Sequence, residues 1–161
     1  MRMKFRVVAV GKIKEKYLIR GIEEYQKRLR PYTGLEITEV KDSVLPNKLY
    51  QAEIEKVLIE EENRIKSKLS SRDYIIALDS EGSQFTSENF AQQIENLTLE
   101  GINQFTFIIG GTLGLSNSLK KEANMLLSFS KFTFPHQLMR LILTEQLYRA
   151  IKIIHNEPYH Y

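Results

Sequence analysis

Histidine side chains near the carboxyl end are the first candidates for acid–base chemistry in this sequence. The chain has three histidines, at positions 136, 155 and 160, and imidazole has an ordinary pKa close to neutrality. His136 follows a proline where the last helix is expected to begin, so it could contact a ligand, accept a proton or cap that helix. His160 lies in a short tail with Tyr159, which could stack on a base and titrate, although chain termini are usually frayed.

Two turns that follow expected strands offer places for a ligand. Residues 79–82 follow Leu78, and the later run IIGGTLGL contains Gly110, Gly111 and Gly114. In open α/β sheets, ligands bind beyond the carboxyl ends of the strands. The acidic residues of the first turn are expected to be ordinary turn residues.

The glycine turn does not have the pattern of a dinucleotide site. Its spacing is Gly-Gly-x-x-Gly rather than Gly-x-Gly-x-x-Gly, and positions 129–134 supply no acid to hold a ribose hydroxyl. We therefore expect no NAD binding. What the glycines permit is close backbone approach to a ligand or to another chain segment.

Residues 127–137 combine conflicting local signals. Apolar and polar residues alternate as in a strand, but Pro135 and a helical pattern follow at once. Such conflict is expected at a functional site. An edge strand that enters a helix is the alternative.

The elements that must position these segments alternate between strand and helix. Strands are predicted at residues 5–10, 35–40, 74–78, 105–109 and 126–128, and helices near 15–29, 48–69, from Ser87 to before Gly101, and after Pro135. Several strands are apolar on both faces, as in a parallel sheet covered by helices. In the second helix, Glu60, Glu61 and Glu62 are expected to point mostly outward. The pattern predicts an α/β fold.

The last helix is apolar over most of its circumference. Its broad apolar surface is either buried centrally in its own fold or shared with a partner chain, and we expect a homodimer. The length of 161 residues predicts a single domain. No run is long enough for a signal peptide or a membrane span, so we expect a soluble, cytoplasmic protein. Without cysteine and with only three histidines, no metal is expected.

Charge is distributed unevenly along the chain. Residues 1–35 carry ten Lys and Arg against three Glu, a net charge of +7; residues 36–104 carry −7, and residues 105–161 carry +3. The first helix presents a basic outer face that includes Arg20 and Lys27. A polyanion, nucleic acid first, is therefore the expected partner.

Together these segments resemble a known family. The runs VVAVGKIKEKY, IIGGTLGL, FSKFTFPHQ and the terminal PYH resemble the RlmH family of the SPOUT methyltransferase superfamily over essentially the whole chain. The resemblance implies a SPOUT (α/β-knot) fold over residues 1–161, a mainly parallel sheet whose C-terminal part, about 104–161, forms a deep trefoil knot. It also implies a homodimer, and methylation by S-adenosylmethionine at N3 of a pseudouridine in 23S ribosomal RNA on the assembled ribosome.

Site residues follow from the resemblance position by position. The cofactor contacts that it implies are Leu78, Gly110, Phe129, Ser130, Lys131, Phe132, Thr133 and Phe134, with Gly111 and Gly114 shaping the same pocket. For the N3 proton we expect His160 as acceptor, or else His136, with Arg140 or Lys131 favouring the anion. Tyr159 is expected to stack on the base, and Arg20 and Lys27 to contact RNA. The family usually ends in a basic residue where this chain has Tyr161.

Two other function classes share parts of this pattern. A non-catalytic ribosome-assembly or RNA-binding module would have the same basic amino-terminal face. A nucleotide-dependent oxidoreductase would have the same α/β layout but lacks its fingerprint here. We also expect the basic amino-terminal face and the tail of two protomers to frame one site.

Overall fold

Five parallel strands form a single sheet in the computed structural model, which describes residues 3–160. In chain order the elements are β1 (Lys4–Val10), α1 (Lys16–Leu29), β2 (Gly34–Val40), α2 (Gln51–Lys66), β3 (Tyr74–Ser83), α3 (Ser87–Leu99), β4 (Gln104–Ile109), α4 (Asn117–Glu122), β5 (Met125–Leu127) and α5 (His136–Ile154). The sheet order is β2-β1-β4-β3-β5, with every pairing parallel. The predicted α/β fold is confirmed.

The sheet is covered on both faces, as its apolar strands require. Phe5, Val7 and Ala9 of β1 belong to one core, with residues of α1, α3 and α5. Val8 and Val10 alternate to the other face and pack with residues of α2 and α4. Successive side chains of a strand point to opposite faces, so the central strands have no polar side.

Element boundaries differ from the prediction at four places. β3 continues to Ser83 because its last residue pairs with Leu127 of β5 beyond an irregularity in register. α2 is shorter at both ends than the predicted 48–69. α3 is capped by Thr86 rather than Ser87, since the Thr86 side chain accepts from the Asn89 amide. The six-residue α4, capped by Ser116, was not predicted.

The outward orientation predicted for the three glutamates of α2 is wrong for two of them. Glu61 and Glu62 are only 5% and 8% exposed. Glu61 accepts a hydrogen bond from the Ser43 amide at 2.9 Å. Glu62 accepts from the hydroxyls of Ser116 and Ser118. Donors from neighbouring elements replace the water that a buried carboxylate would lose.

Helix α5 packs between α1 and α3 on the sheet, which accounts for much of its apolar surface. Leu143, Leu147 and Ile151 are fully buried in the core. A Cβ at Gly21 of α1 would lie 2.8 Å from Leu141 Cδ1, so the missing side chain lets the two helices approach closely. Central burial therefore applies to most of this helix, and the homodimer stays a prediction. Within residues 3–160, no helix is long and apolar enough to cross a membrane.

Candidate active site

The carboxyl ends of β3 and β4, together with the beginning of α5, enclose a cavity of about 180 Å³, here called the main cavity. Its walls come from the ends of two neighbouring strands, the glycine turn, the segment before α5 and the first turn of α5. They are Leu78, Asp79, Ser80, Ile109, Gly110, Gly114, Leu127, Phe129, Ser130, Phe132, Thr133, Phe134, His136 and Met139. This is the edge of the sheet where an α/β fold binds its ligand.

Most of the predicted cofactor residues meet at this cavity. Eight of the ten expected positions line it, and the two that do not are Gly111 and Lys131. The lining also includes Asp79, Ser80, Ile109, Leu127 and Met139, which were not predicted as site residues. Their positions at strand ends are the available signal, and for Asp79 the ion pair with Lys120 at 3.4 Å supplies a structural role as well.

The glycine turn forms its wall from backbone because its residues are too close for side chains. A Cβ at Gly110 would lie 2.5 Å from the Gly114 carbonyl oxygen. Gly114 itself has φ +79°, a conformation that side-chain-bearing residues rarely adopt. Gly111 faces the other way, toward Val10 and Glu61. The turn therefore lets a ligand approach the main chain closely.

The segment before α5 is held by short polar contacts and exposes its aromatic rings. The Ser128 hydroxyl contacts the carbonyls of Ser80 and Ser130 at 3.0 and 3.1 Å. The Phe132 amide donates to Ser130 Oγ at 3.0 Å, and the Phe132 ring is 79% exposed. The conflicting sequence signals correspond to a β5 of three residues followed by an irregular chain, so neither a long edge strand nor an early helix forms here.

His136 is the histidine that lines the main cavity. Burial lowers the pKa of His136, and the positive charge of Arg140 one turn later lowers it further, so the ring is neutral at neutral pH. No other group within residues 3–160 forms a hydrogen bond with its ring nitrogens. A neutral imidazole with an available nitrogen can accept a proton.

Arg140 does not line the main cavity. It is 2% exposed, pairs with Glu39 and donates to the Gly11 carbonyl at 2.7 Å. The structure thus places Arg140 beneath the site, in a buried ion pair, where it acts on His136 through its charge. Lys131 is exposed beside the cavity without lining it.

The tail packs against its own chain. Tyr159 donates to Glu145 at 3.1 Å and lies 4.7 Å from the Tyr148 ring and from the Arg149 guanidinium. His160 lies 2.6 Å from Glu88 through Nε2 and 2.9 Å from Arg149 through Nδ1. Neither tail residue lines the main cavity of the same chain.

The partners of His160 determine its tautomer. Arg149 can only donate, so Nδ1 must accept from it, and Nε2–H then donates to the Glu88 carboxylate. This bond lowers the pKa of Glu88. Both ring nitrogens are therefore engaged, and His160 takes up a substrate proton only after the tail contact with Arg149 opens. Tyr161 lies outside the described residues.

The basic face of α1 lies apart from the main cavity. Arg20 and Lys27 are exposed and, with Glu23, Glu24 and Arg30, line a shallow groove. Neither Arg20 nor Lys27 forms an ion pair with any group in residues 3–160. Over the same residues, no group of three or more potential metal ligands is found.

Comparison with known proteins adds to this geometry. Residues 3–160 match the family model described as predicted SPOUT methyltransferase. Proteins called ribosomal RNA large subunit methyltransferase H from Streptococcus uberis, Streptococcus suis and Enterococcus faecalis are 54%, 51% and 49% identical to the chain. Each match spans 158 residues, 98% of this chain and 99% of the relative.

A solved structure agrees with the fold. It is described as a probable methylase family protein from Haemophilus influenzae Rd KW20, and it matches with a TM-score of 0.52 and 12% identity. The match covers 98% of this chain and 70% of the other. At that identity the likeness concerns the fold alone.

Proposed function

The chain belongs to the SPOUT methyltransferase family, and from that premise we propose that it methylates N3 of a pseudouridine in 23S ribosomal RNA on the assembled ribosome. The observation that carries the proposal is the main cavity, because it gathers eight of the ten residues expected to contact or shape the cofactor site. Relatives of about half-identical sequence bear the name of a large-subunit ribosomal RNA methyltransferase. Membership in this family supports the enzyme over the non-catalytic module.

The main cavity fits part of an S-adenosylmethionine molecule. Its volume of about 180 Å³ is below the roughly 300–1,000 Å³ of pockets that enclose a drug-sized ligand, so it would enclose one end of the cofactor. Leu78, Phe129 and Phe134 offer apolar walls, while the backbone of Gly110 and Gly114 allows close approach. When bound, S-adenosylmethionine supplies a methyl group on a positively charged sulfur.

The work left to the protein is positioning and proton removal. Reacting atoms must be held about 3–3.5 Å apart and in line, which the rigid strand ends and the turn favour. N3 of pseudouridine carries a proton, and we assign His136 as its acceptor because it lines the cavity with a neutral ring. His160 is the second candidate, since its nitrogens are engaged by Glu88 and Arg149 in this arrangement.

The remaining site residues have supporting roles in the proposal. Arg140 keeps His136 neutral through its charge. Lys131 stands beside the cavity, where a cation favours the deprotonated base. Tyr159 stacks on the base only if the tail leaves Tyr148 and Arg149. Arg20 and Lys27 contact RNA phosphates.

A homodimer belongs to the proposal. After α1 and α3 cover α5, Leu138, Leu141 and Ile142 stay partly exposed, and the exposed Phe132 stands at the cavity mouth. A second copy that covers this surface would bring its own basic face or tail to the site. An enzyme that acts on assembled ribosomes works in the cytoplasm, which is the location we propose.

The function is tested by incubating the protein with labelled S-adenosylmethionine and intact ribosomes, separate large subunits or free ribosomal RNA. We expect label in 23S RNA from intact ribosomes and little in the other two. Mapping the label to N3 of a pseudouridine would establish the acceptor. Absence of transfer to every substrate, from protein that binds the cofactor by calorimetry, would contradict the proposal.

A further inference from the structure

A second cavity lies behind the glycine turn and contains an unpartnered buried carboxylate oxygen. This second cavity, of about 170 Å³, is lined by Asp42, Ser43, Val44, Leu45, Val57, Glu61, Thr112 and Leu113. Glu61 is 5% exposed, and its Oε1 is buried without any hydrogen-bond partner in the described chain. A buried carboxylate oxygen with no donor is costly, so a donor from outside the chain is the natural complement.

The glycine turn separates the second cavity from the main cavity. Gly110 and Gly114 line the main cavity, whereas Thr112 and Leu113 of the same turn line the second. At Gly111 a Cβ would lie 3.5 Å from Glu61 Oε1. One five-residue turn thus has the cofactor side on one face and the Glu61 carboxylate on the other.

The Glu61 carboxylate is held in a fixed orientation. Its Oε2 accepts from the Ser43 amide at 2.9 Å, which leaves Oε1 as the oxygen without a donor. Burial raises the pKa of Glu61, in line with a carboxylate short of hydrogen-bond donors. Val44 and Leu45 are exposed at the rim, 89% and 36% respectively. A small cavity with apolar walls and one directional acceptor suits a flat ring that carries an N–H group.

Building on the proposed function, we propose that the second cavity takes the acceptor base and that Glu61 Oε1 accepts a hydrogen bond from its ring N1–H. In pseudouridine the sugar is attached through carbon, so N1 keeps a hydrogen; in uridine N1 is bonded to the sugar and has none. N1 and N3 are separated by one ring carbonyl, so holding N1–H at Glu61 leaves N3 to face the main cavity. Glu61 is then the residue that distinguishes pseudouridine from uridine.

The test compares two ribosome substrates, with pseudouridine or with uridine at the target position, the latter from cells that lack the responsible pseudouridine synthase. We measure kcat/KM for both with the unmodified protein and with Glu61→Gln, whose carbonyl can still accept from Ser43 while its amide group places a donor toward N1–H. The unmodified protein should prefer pseudouridine. Glu61→Gln should lower that preference about 10- to 100-fold, as expected for a hydrogen bond to a charged group.

Glu60→Gln is the matched control. Glu60 precedes Glu61 and holds the same loop, accepting from the Ser43 hydroxyl at 2.8 Å, but it does not line the second cavity. The control should keep the preference. Cofactor binding by calorimetry and the melting temperature are measured for each variant. If Glu61→Gln does not fold, Glu61→Asp, which withdraws the acceptor by one methylene, should show the same loss of preference.

The outcomes separate this inference from the proposed function. If the unmodified protein methylates neither substrate, the proposed function fails. If it methylates pseudouridine ribosomes but Glu61→Gln keeps the full preference, the function stands and the role of Glu61 is overturned. Equal use of both substrates by the unmodified protein overturns that role, and so does a Glu61 variant that loses cofactor binding, because the carboxylate would then act through the turn.

Discussion

At the scale of single residues, the two candidate histidines differ in what surrounds them. His136 lines the main cavity with a ring that has no hydrogen-bond partner within residues 3–160, and His160 is engaged at both nitrogens. The sequence pattern favours His160 because a terminal Tyr-His pair is unusual. Only the contacts with Glu88 and Arg149 show how that ring is occupied.

The pH dependence of methyl transfer is predicted to follow His136. Burial and the Arg140 charge lower its pKa, so the neutral, proton-accepting form should persist below the ordinary value of roughly 6.5. The single-turnover rate should rise with pH through a midpoint below that value and then level off. Rapid-quench measurements with cofactor and ribosomes in excess of KM would establish the midpoint.

Substitution separates the two histidines in the same assay. Removing a general base typically costs about 10²- to 10⁴-fold, so His136→Ala should slow the single-turnover rate by that amount and abolish the acidic limb. His160→Ala serves as the control and should stay within a few-fold of the unmodified rate. A large loss in His160→Ala with no loss in His136→Ala would transfer the role to the tail.

At the scale of elements, the glycine turn is predicted to be intolerant of a side chain at Gly110. A Cβ there would meet the Gly114 backbone at 2.5 Å, and backbone cannot move aside as a flexible side chain can. Gly110→Ala should therefore weaken S-adenosylmethionine binding at least about tenfold, measured by calorimetry. Gly34→Ala is the control, because a Cβ at Gly34 meets nothing within 4 Å, and unchanged affinity in Gly110→Ala would refute the role of the turn.

Helix α2 is predicted to support the start of α4 through Glu62. Burial acts to raise the pKa of Glu62, but hydrogen bonds from Ser116, Ser118 and Lys66 outweigh it and hold the pKa below its usual value. A carboxylate with a depressed pKa stabilises the fold above its unfolded value of roughly 4.3, and that contribution is lost as pH falls through the lower folded pKa.

Replacing Glu62 by Gln should therefore lower the free energy of unfolding by about 1.5–3 kcal/mol at pH 7, measured in urea. The loss should shrink as the pH is taken below roughly 4. Glu55→Gln on the exposed side of α2 is the control. An equal loss at both pH values would show that shape, and not charge, matters at position 62.

Strand and helix positions were accessible from the sequence because apolar periodicity reports burial directly. The same periodicity puts Val57, Glu61 and Ile65 on one stripe of α2, four residues apart. Glu61 was nevertheless assigned outward by its charge. Its burial depends on a donor from the loop after β2, and no local pattern shows that contact. The same holds for α4, whose cap is completed by Glu62 from a distant helix.

At the scale of the whole molecule, the charge distribution and the site can now be related. The acidic middle of the chain is partly internal, since Glu61, Glu62 and Asp73 are engaged by groups of the protein itself. The exposed positive charge of α1 is not neutralised in the same way. A net charge of +3 therefore understates the basic surface that faces a partner.

This basic face is predicted to bind ribosomes through the phosphates of the RNA. Arg20→Glu combined with Lys27→Glu should weaken ribosome binding and reduce the salt dependence of log affinity by about 1 for each phosphate that the variant no longer neutralises, while cofactor affinity stays unchanged. The matched control reverses Lys48 and Lys56, which are equally exposed but lie in and just before α2. Because both double variants change the net charge by the same amount, a general loss of attraction would affect them equally. Only a localised RNA-binding face weakens one and spares the other, as filter-binding titrations at several salt concentrations would show.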